Sequence, residues 1–437
     1  MSYFSEFNKI SKSEWEKKIF SDLKEKKSSI SIEDDIEELN ISSYYHSEDI
    51  SKNEIPGNFP FTRGMNKQKN YWKNGSLIIV SNEKKSNKKA LLALNSGADL
   101  LVFKTNKRNV NWKEVFKDIK FEFIYAQFII ESVSDFDVIF QLMNKYDFNI
   151  QYNIDIISDF FNQNFNLIAE NFKIKQKRFC SVNGHKIQQI GGNTWQEIAF
   201  CLNIGHEYLI KLMTIGFTID EAAACVSFNL GVGSNYFFET AKFRALRKLW
   251  AKIINAYNPT HNCSYNCDIT AVIGHMNKSL KDPYTNLLRQ TTEVMSAING
   301  GTDAVLVEPY DINSNNGPSE KSERMALNIS NILKEESYLD IVIDPLGGSY
   351  SIEILTEEIA RKGWEKFQDI EGTNNGVRSK LFINQVKEKA NTRINNFKNN
   401  SIKLIGVNAF KNPKEVKNTW KEIDSYLGLP TIILETV

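Results

Sequence analysis

Residues 76–104 read SLIIVSNEKKSNKKALLALNSGADLLVFK. A β-branched run, SLIIVS (76–81), gives way to a segment of helical period, KKALLALNSGA (88–98), and then to a second apolar run, DLLVFK (99–104). Parallel strands need a long crossover and a helix supplies it, so the stretch reads as one β-α-β unit.

The rhythm recurs down the chain. FEFIYAQ (121–127), FNIQYNID (148–155), RFCSVNG (178–184), CVSFNL (225–230), DITAVIG (268–274) and AVLVEP (304–309) bring the strand candidates to eight. Helical patterns separate them, among them SDFDVIFQLMNKY (134–146), TWQEIAFCLNIGHEYLIKLMTIG (194–216) and NYFFETAKFRALRKLWAKIINAY (235–257). Eight β/α units in series predict a (β/α)8 barrel over residues 71–338, with an open doubly wound sheet as the competing arrangement. Residues 1–70 read as an N-terminal arm, made of a charged helix, the acidic stretch SIEDDIEELNISSYYHSEDI (31–50) and the loop PGNFPFTRG (56–64). Residues 339–437 read as a C-terminal extension, helical to the end, with NTRINNFKNNSIK (391–403) as solvated surface.

The bulk properties are those of a globular chain, 41% hydrophobic and 24% charged over 437 residues. A formal net charge of +1 gives no global attraction to nucleic acid or anionic membrane, so neither is expected as a partner. No run of 18 apolar residues occurs, and MSYFSEFNKISKSEWEKKIF at the start has mixed charge; a cytoplasmic chain is expected. Cys180, Cys201, Cys225, Cys263 and Cys267 are odd in number and scattered, which favours reduced thiols.

Few residues demand chemistry. His261, Cys263 and Cys267 offer three donors in one loop with no second pair, so ordinary loop residues are the stronger reading and no metal is expected. GVGSNYF (231–237) lacks the third glycine of a dinucleotide turn and reads as a tight turn before a helix. His185, beside Lys186, lies just past a strand, where barrels place reactive side chains; acid–base work and a solvated loop histidine stay equally open. Asp282 and Asp344 each precede a proline, which suits turns. YFFETAKFRALRKLW (236–250) reads as a helix with one apolar face toward the core.

Five stretches, in order, resemble the methylmalonyl-CoA mutase family: PGNFPFTRG (56–64), TWQEIAFCLNIGHEYLIKLMTIGF (194–217), VSFNLGVGSNYFFETAKFRALRKLWAKIINAYNP (226–259), DPYTNLLRQTTEVMSAINGGTDAV (282–305) and DPLGGSYSIEILTEEIARKGWEKFQDIE (344–371). The resemblance implies a barrel whose axis is threaded by an acyl-CoA chain. In the family a C-terminal flavodoxin-like domain holds adenosylcobalamin, which generates the radical that interconverts methylmalonyl-CoA and succinyl-CoA. Phe59, Pro60, Phe61, Thr62, Arg63 and Gly64 match the family's scaffold motif leading into the first strand.

The site positions depart from the family. HKIQQIGG (185–192) puts Lys186 where the catalytic histidine belongs, with His185 one place early and Gln188 in the same run. Neighbours on a strand end point in roughly opposite directions, so His185 is not expected to substitute. Cys225 stands where the family has a substrate-contacting arginine, and Val272 where it has a glutamine. MNKQKNYWKNG (65–75) lacks the family's tyrosines, and no Asp-x-His-x-x-Gly cobalt-ligating run occurs in these 437 residues. The resemblance therefore implies a non-catalytic small subunit with no cofactor of its own. Adenosylcobalamin is expected on its partner, the catalytic large subunit. The alternative is the barrel chain of a split acyl-CoA mutase whose cobalamin domain is a separate polypeptide, and a stand-alone acyl-CoA-binding or chaperone-like module is the third reading.

Overall fold

The computed structural model describes residues 8, 10–23, 31–50, 54–105, 109–146, 149–173, 178–411, 413, 419–421 and 424–437. Phe148 of the fourth strand candidate and most of the first ten residues lie outside them. Eight strands appear where the sequence places them: β1 (Lys73–Val80), β2 (Leu100–Thr105), β3 (Tyr125–Ile129), β4 (Ile150–Asn153), β5 (Cys180–Val182), β6 (Val226–Gly231), β7 (Ile269–Ile273) and β8 (Ala304–Val307). All pair in parallel in the order β4-β3-β2-β1-β8-β7-β6-β5. The two edges meet, because an Ile154–Cys180 bridge and the Tyr152 N–H, donating to Arg178 O at 2.8 Å, join β4 to β5. The sheet is a (β/α)8 barrel rather than an open doubly wound sheet.

Each strand is followed by its helix: α1 (Glu83–Asn95), a single turn α2 (Trp112–Val115), α3 (Val133–Met143), α4 (Asp159–Glu170), α5 (Thr194–Thr214), α6 (Tyr236–Ala256), α7 (Thr285–Asn299) and α8 (Glu320–Glu335). Where the helices are short, aromatics fill the layer between strand and helix. Phe103 stacks on Phe128 at 5.4 Å and Phe172 on Phe179 at 4.3 Å. On the far side α9 (Tyr350–Glu371) packs over α5 and α6. Gly205 of α5 allows the close approach of α6, since a Cβ there would come within 2.8 Å of the Trp250 ring.

Helix α6 differs from the one-faced helix the sequence implies. Lys242, Arg244 and Arg247 are as buried as Phe238 and Phe243, Arg244 against α9, Lys242 against α5 and the end of β6, and Arg247 against Cys267 and Gly301. Each finds carboxylates or carbonyls. Lys242 Nζ lies 2.7 Å from Glu197 Oε2 and 2.6 Å from Glu239 Oε2, and it donates to Gly231 O at 2.7 Å. Charge is tolerated there only because every cation is paired.

The arm and the extension hold the barrel at both ends. A hairpin (Ser31–Asp34 with Leu39–Ser42) seats the Glu37 carboxylate on the Thr194 N–H at the start of α5, at 3.0 Å. After α9 comes α10 (Lys380–Lys398), where the helical character ends. Asn400 takes a left-handed conformation (φ 62°), and the described residues beyond it form turns, a short hairpin (Ser425–Tyr426 with Leu429–Pro430) and one final turn of 3-10 helix. The expectation of helix to the end fails at this point. Ile432 and Leu434 pack with Phe397, Leu404, Val407 and Met276 in a small second core.

Candidate functional site

Alternation along the strands decides what faces the barrel axis. Leu77, Leu100, Val102, Tyr125, Ile129, Ala304 and Leu306 make one half of the interior apolar. The other half is polar and self-satisfied. Asn183 sits at its centre, exchanging hydrogen bonds with Asn153 at 3.1 Å and accepting from Asn229 at 3.0 Å, and Ser181 lies 3.2 Å from Ser227. Val272 belongs to this lining, since Ile269, Ala271 and Ile273 turn outward into the main core.

At the C-terminal mouth, His185, Lys186 and Gln188 lie on a five-residue helix (His185–Gln189) rather than on a strand end, so successive side chains are about 100° apart and not opposed. Burial, with Lys186 beside it, pushes the His185 imidazole down to about 4, and its Nδ1 is enclosed without a partner. Lys186 Nζ is 3.0 Å from Asp155 Oδ2 and 4.7 Å above the Tyr426 ring. The same Asp155 oxygen accepts from Asn183 Nδ2 at 3.2 Å and from the Tyr426 hydroxyl at 3.3 Å. Gln188 leans over Gly231, where a Cβ would meet its side chain at 2.9 Å.

Over this mouth runs a strap, residues 424–437. The Ile432 N–H donates to Gln189 O and the Leu434 N–H to Met276 O, both at 2.9 Å. The Glu435 carboxylate accepts from the Leu280 N–H at 2.9 Å, the Lys281 N–H at 3.1 Å, Ser279 Oγ at 2.5 Å and Trp420 Nε1 at 2.6 Å. The face on which barrels carry their chemistry is thus roofed by the chain itself.

The N-terminal mouth is open. A cavity of about 1400 Å³ is lined by Thr62–Gly64, the first residues of β4 and β6, loop 260–266 and turn 300–303. Loop 56–64 earns its prolines and glycines here. Two turns fold it back on itself, with Gly57 N–H on Gly64 O at 2.8 Å. Phe61 (φ 60°) and the exposed Phe59 pack on Tyr265. Arg63 Nε donates to Asp344 Oδ2 at 2.6 Å, and the same carboxylate pairs with Arg244 Nη1. PGNFPFTRG and DPLGGSY, 281 residues apart at Arg63 and Asp344, are two sides of one joint.

Cys225 lies near this mouth, buried at the end of the short helix Ile219–Cys225, and burial pushes its thiol up to about 12. The five positions flagged by sequence are therefore not brought together. Three sit at one mouth, Val272 is inside and Cys225 is at the other end. Sequence reading missed the groups that close the barrel: Asp155, Tyr426 and Glu435 above, and Lys73, Gln151, Arg178 and Asp268 below. Asp268 is buried, which works against its charge, yet Arg178 at 3.0 Å, Lys73 at 3.9 Å and the Gln151 hydrogen bond at 2.9 Å hold its carboxyl down to about 2. No local pattern marks a layer built from four different strand starts.

A closed parallel barrel with helical extensions defines an α/β-barrel protein, a fold that hosts many unrelated chemistries. Residues 131–427 match the methylmalonyl-CoA mutase family, and the chain belongs to that family. It is 31% identical to the methylmalonyl-CoA mutase small subunit of Porphyromonas gingivalis over 84% of this chain and 64% of that one. Similarity to the probable methylmalonyl-CoA mutase small subunit of Mycobacterium tuberculosis is 31% over 54% of this chain and 39% of that one. To the human mitochondrial methylmalonyl-CoA mutase it is 31% over 63% of this chain and 36% of that one. The chain thus spans about a third to two thirds of the length of these relatives. Among solved structures, a dihydropteroate synthase from Anaplasma phagocytophilum aligns with a TM-score of 0.36 at 13% identity, covering 60% of this chain and 99% of that one, and carries no functional argument.

Proposed function

We propose that this chain is the small, non-catalytic subunit of a heterodimeric, cytoplasmic methylmalonyl-CoA mutase. Its partner is the catalytic large subunit, which carries adenosylcobalamin and interconverts methylmalonyl-CoA and succinyl-CoA. The observation that carries the reading is the roof over the C-terminal mouth: strap 424–437 hydrogen-bonds across Gln189, Met276 and Leu280–Lys281.

The residues at that face do not fit a cobalamin. The strap covers the C-terminal mouth, His185 is enclosed, and His275 Nδ1 lies 3.3 Å from Glu308 Oε2. Lys186 is committed to Asp155. No step of a radical reaction is derived through this chain. Its contribution is a rigid barrel, filled along its axis, against which a catalytic chain is held. Among the described residues no helix is long and apolar enough to cross a membrane.

The test is mutase turnover with methylmalonyl-CoA and adenosylcobalamin, measured for this chain alone, for the catalytic chain alone, and for the two co-expressed. The expected result is turnover only where the catalytic chain is present, with both chains eluting as one stoichiometric complex. Turnover by this chain with a separate cobalamin-binding protein replaces the proposal with the split-enzyme reading.

A further inference from the structure

We infer that Tyr257 is a reactive tyrosine, a modification site that accepts acyl groups from activated esters and thioesters, with His206 as its base and Glu371 as the carboxylate that orients the base. Three features of this cluster carry the inference.

The first is its geometry. His206 lies on α5, Tyr257 caps the last turn of α6 and Glu371 ends α9. His206 Nδ1 is 3.2 Å from Glu371 Oε2, and His206 Nε2 is 2.7 Å from the Tyr257 hydroxyl. A carboxylate only accepts, so Nδ1 carries the imidazole proton, Nε2 offers the lone pair and the Tyr257 hydroxyl donates to it. A hydroxyl bonded to a histidine that a third group orients is the arrangement that activates an oxygen nucleophile. Of the chain's five histidines, His206 alone among the described residues bonds a hydroxyl through one ring nitrogen and a carboxylate through the other.

The second is its support. Glu371 Oε1 accepts from Asn203 Nδ2 at 2.6 Å, and Asn203 Oδ1 accepts from the Val377 N–H at 3.2 Å. Gly376 lets that turn come close, since a Cβ there would lie 2.8 Å from Asn203 Oδ1. Burial works against the Glu371 charge, yet the hydrogen bonds from His206 and Asn203 hold its carboxyl below the ordinary value. Glu207, the next residue along α5, is taken by Arg378 at 2.9 Å. Glu371 is thus ionised and fixed, and it holds His206 in one tautomer.

The third is its access and charge. The cluster opens to the surface, with His206 20% and Glu371 32% exposed and Tyr257 partly so. Burial and the Glu371 charge push the Tyr257 hydroxyl up, so the phenol keeps its proton until a base removes it. The Glu371 carboxylate repels an anionic phosphoryl donor and not an uncharged acyl carbon, which selects acyl transfer. In that step Tyr257 Oη bonds the acyl carbon and its proton passes to His206 Nε2. The donor's carbon–sulfur or carbon–oxygen bond breaks, and the departing thiolate or oxyanion takes the proton from His206.

The full chain is treated with p-nitrophenyl acetate and, separately, with phenylmethanesulfonyl fluoride, quenched in acid at intervals and mapped by peptide mass spectrometry. Tyr338 and Tyr350, 62% and 42% exposed, are the internal references. Tyr257 is expected to label about a hundredfold faster than either with both reagents, the scale of a positioned general base. Its rate is expected to fall on acidification, as the imidazole takes a proton, whereas the references gain rate only as phenols ionise. His206→Gln still offers Tyr257 a hydrogen bond but no base, and is expected to bring Tyr257 to the reference rate with unchanged melting temperature. Labelling of wild-type Tyr257 no faster than the references overturns the inference, and that comparison needs no variant to fold. Wild-type labelling in His206→Gln overturns it too, because the cluster then only staples three helices together. Where His206→Gln melts early, the wild-type pH profile decides the same point, and a rate that rises only with phenol ionisation removes His206 as the base.

Discussion

Asp344 shows how much a single side chain can hold. Its carboxylate receives Arg63 from the N-terminal loop and the buried Arg244 from α6, while Glu353 of α9 completes the Arg244 pairing at 2.6 Å. Asp344→Ala leaves Arg244 with Glu353 as its one carboxylate and Arg63 with backbone carbonyls alone, and is expected to cost about 3 kcal/mol, read as a lowered urea midpoint. His185 sets a pH dependence. Its folded value, about 4, lies below the ordinary 6.5, so between these values the unfolded chain binds a proton that the fold refuses. Stability at pH 7 is therefore expected to be lost as pH falls from 6.5 toward 4, by up to about 3 kcal/mol from this group. Lys186, Glu308 and Asp155 are the charged groups acting on it. His185→Asn should flatten the slope in denaturation curves at pH 7 and pH 4.5.

At the scale of elements, the strap and the short helix beneath it decide the state of the C-terminal mouth. The strap buries Leu429, Ile432, Ile433 and Leu434, and Glu435 adds a polar anchor, its carboxylate satisfying two backbone N–H groups, a hydroxyl and an indole. Glu435→Ala removes all four bonds, at about 2 kcal/mol, and frees the strap without unfolding the barrel. The expected outcome is faster hydrogen exchange at Leu280, Lys281, Ile432 and Leu434, with β6 amides still protected. Unchanged exchange at those four amides would show that the second core alone retains the strap.

The whole molecule joins an intact family scaffold to a barrel closed at its reactive end. Changing one site residue does not reverse that closure. Lys186→His introduces the histidine that the resemblance places here, yet Tyr426 and the strap still cover the position. The expected result is no mutase turnover and no change in the adenosylcobalamin absorption spectrum on mixing. Turnover by Lys186→His alone would mean that the roof opens in solution.

The barrel was legible in the sequence because each β/α unit carries its own period, and local periodicity is a property of neighbouring residues. Strand existence, the helix between each pair and the family motifs were all of this kind. Lys242 and Arg244 lie in a helix read as having one apolar face, and their burial depends on distant partners, Glu197 for Lys242 and Asp344 and Glu353 for Arg244. The N-terminal hairpin read only as an acidic stretch of the arm because its anchor, Glu37, finds its partner at Thr194. The roof over the C-terminal mouth and the ionic layer across the lower barrel were invisible for the same reason. Asp268 meets Arg178, and Tyr426 meets Asp155, through contacts set by the curvature of the closed sheet rather than by spacing along the chain. The sequence alone determined the repeating unit and the family motifs. Tertiary structure decided which of the remaining polar groups face one another, because that depends on where the ring of strands closes.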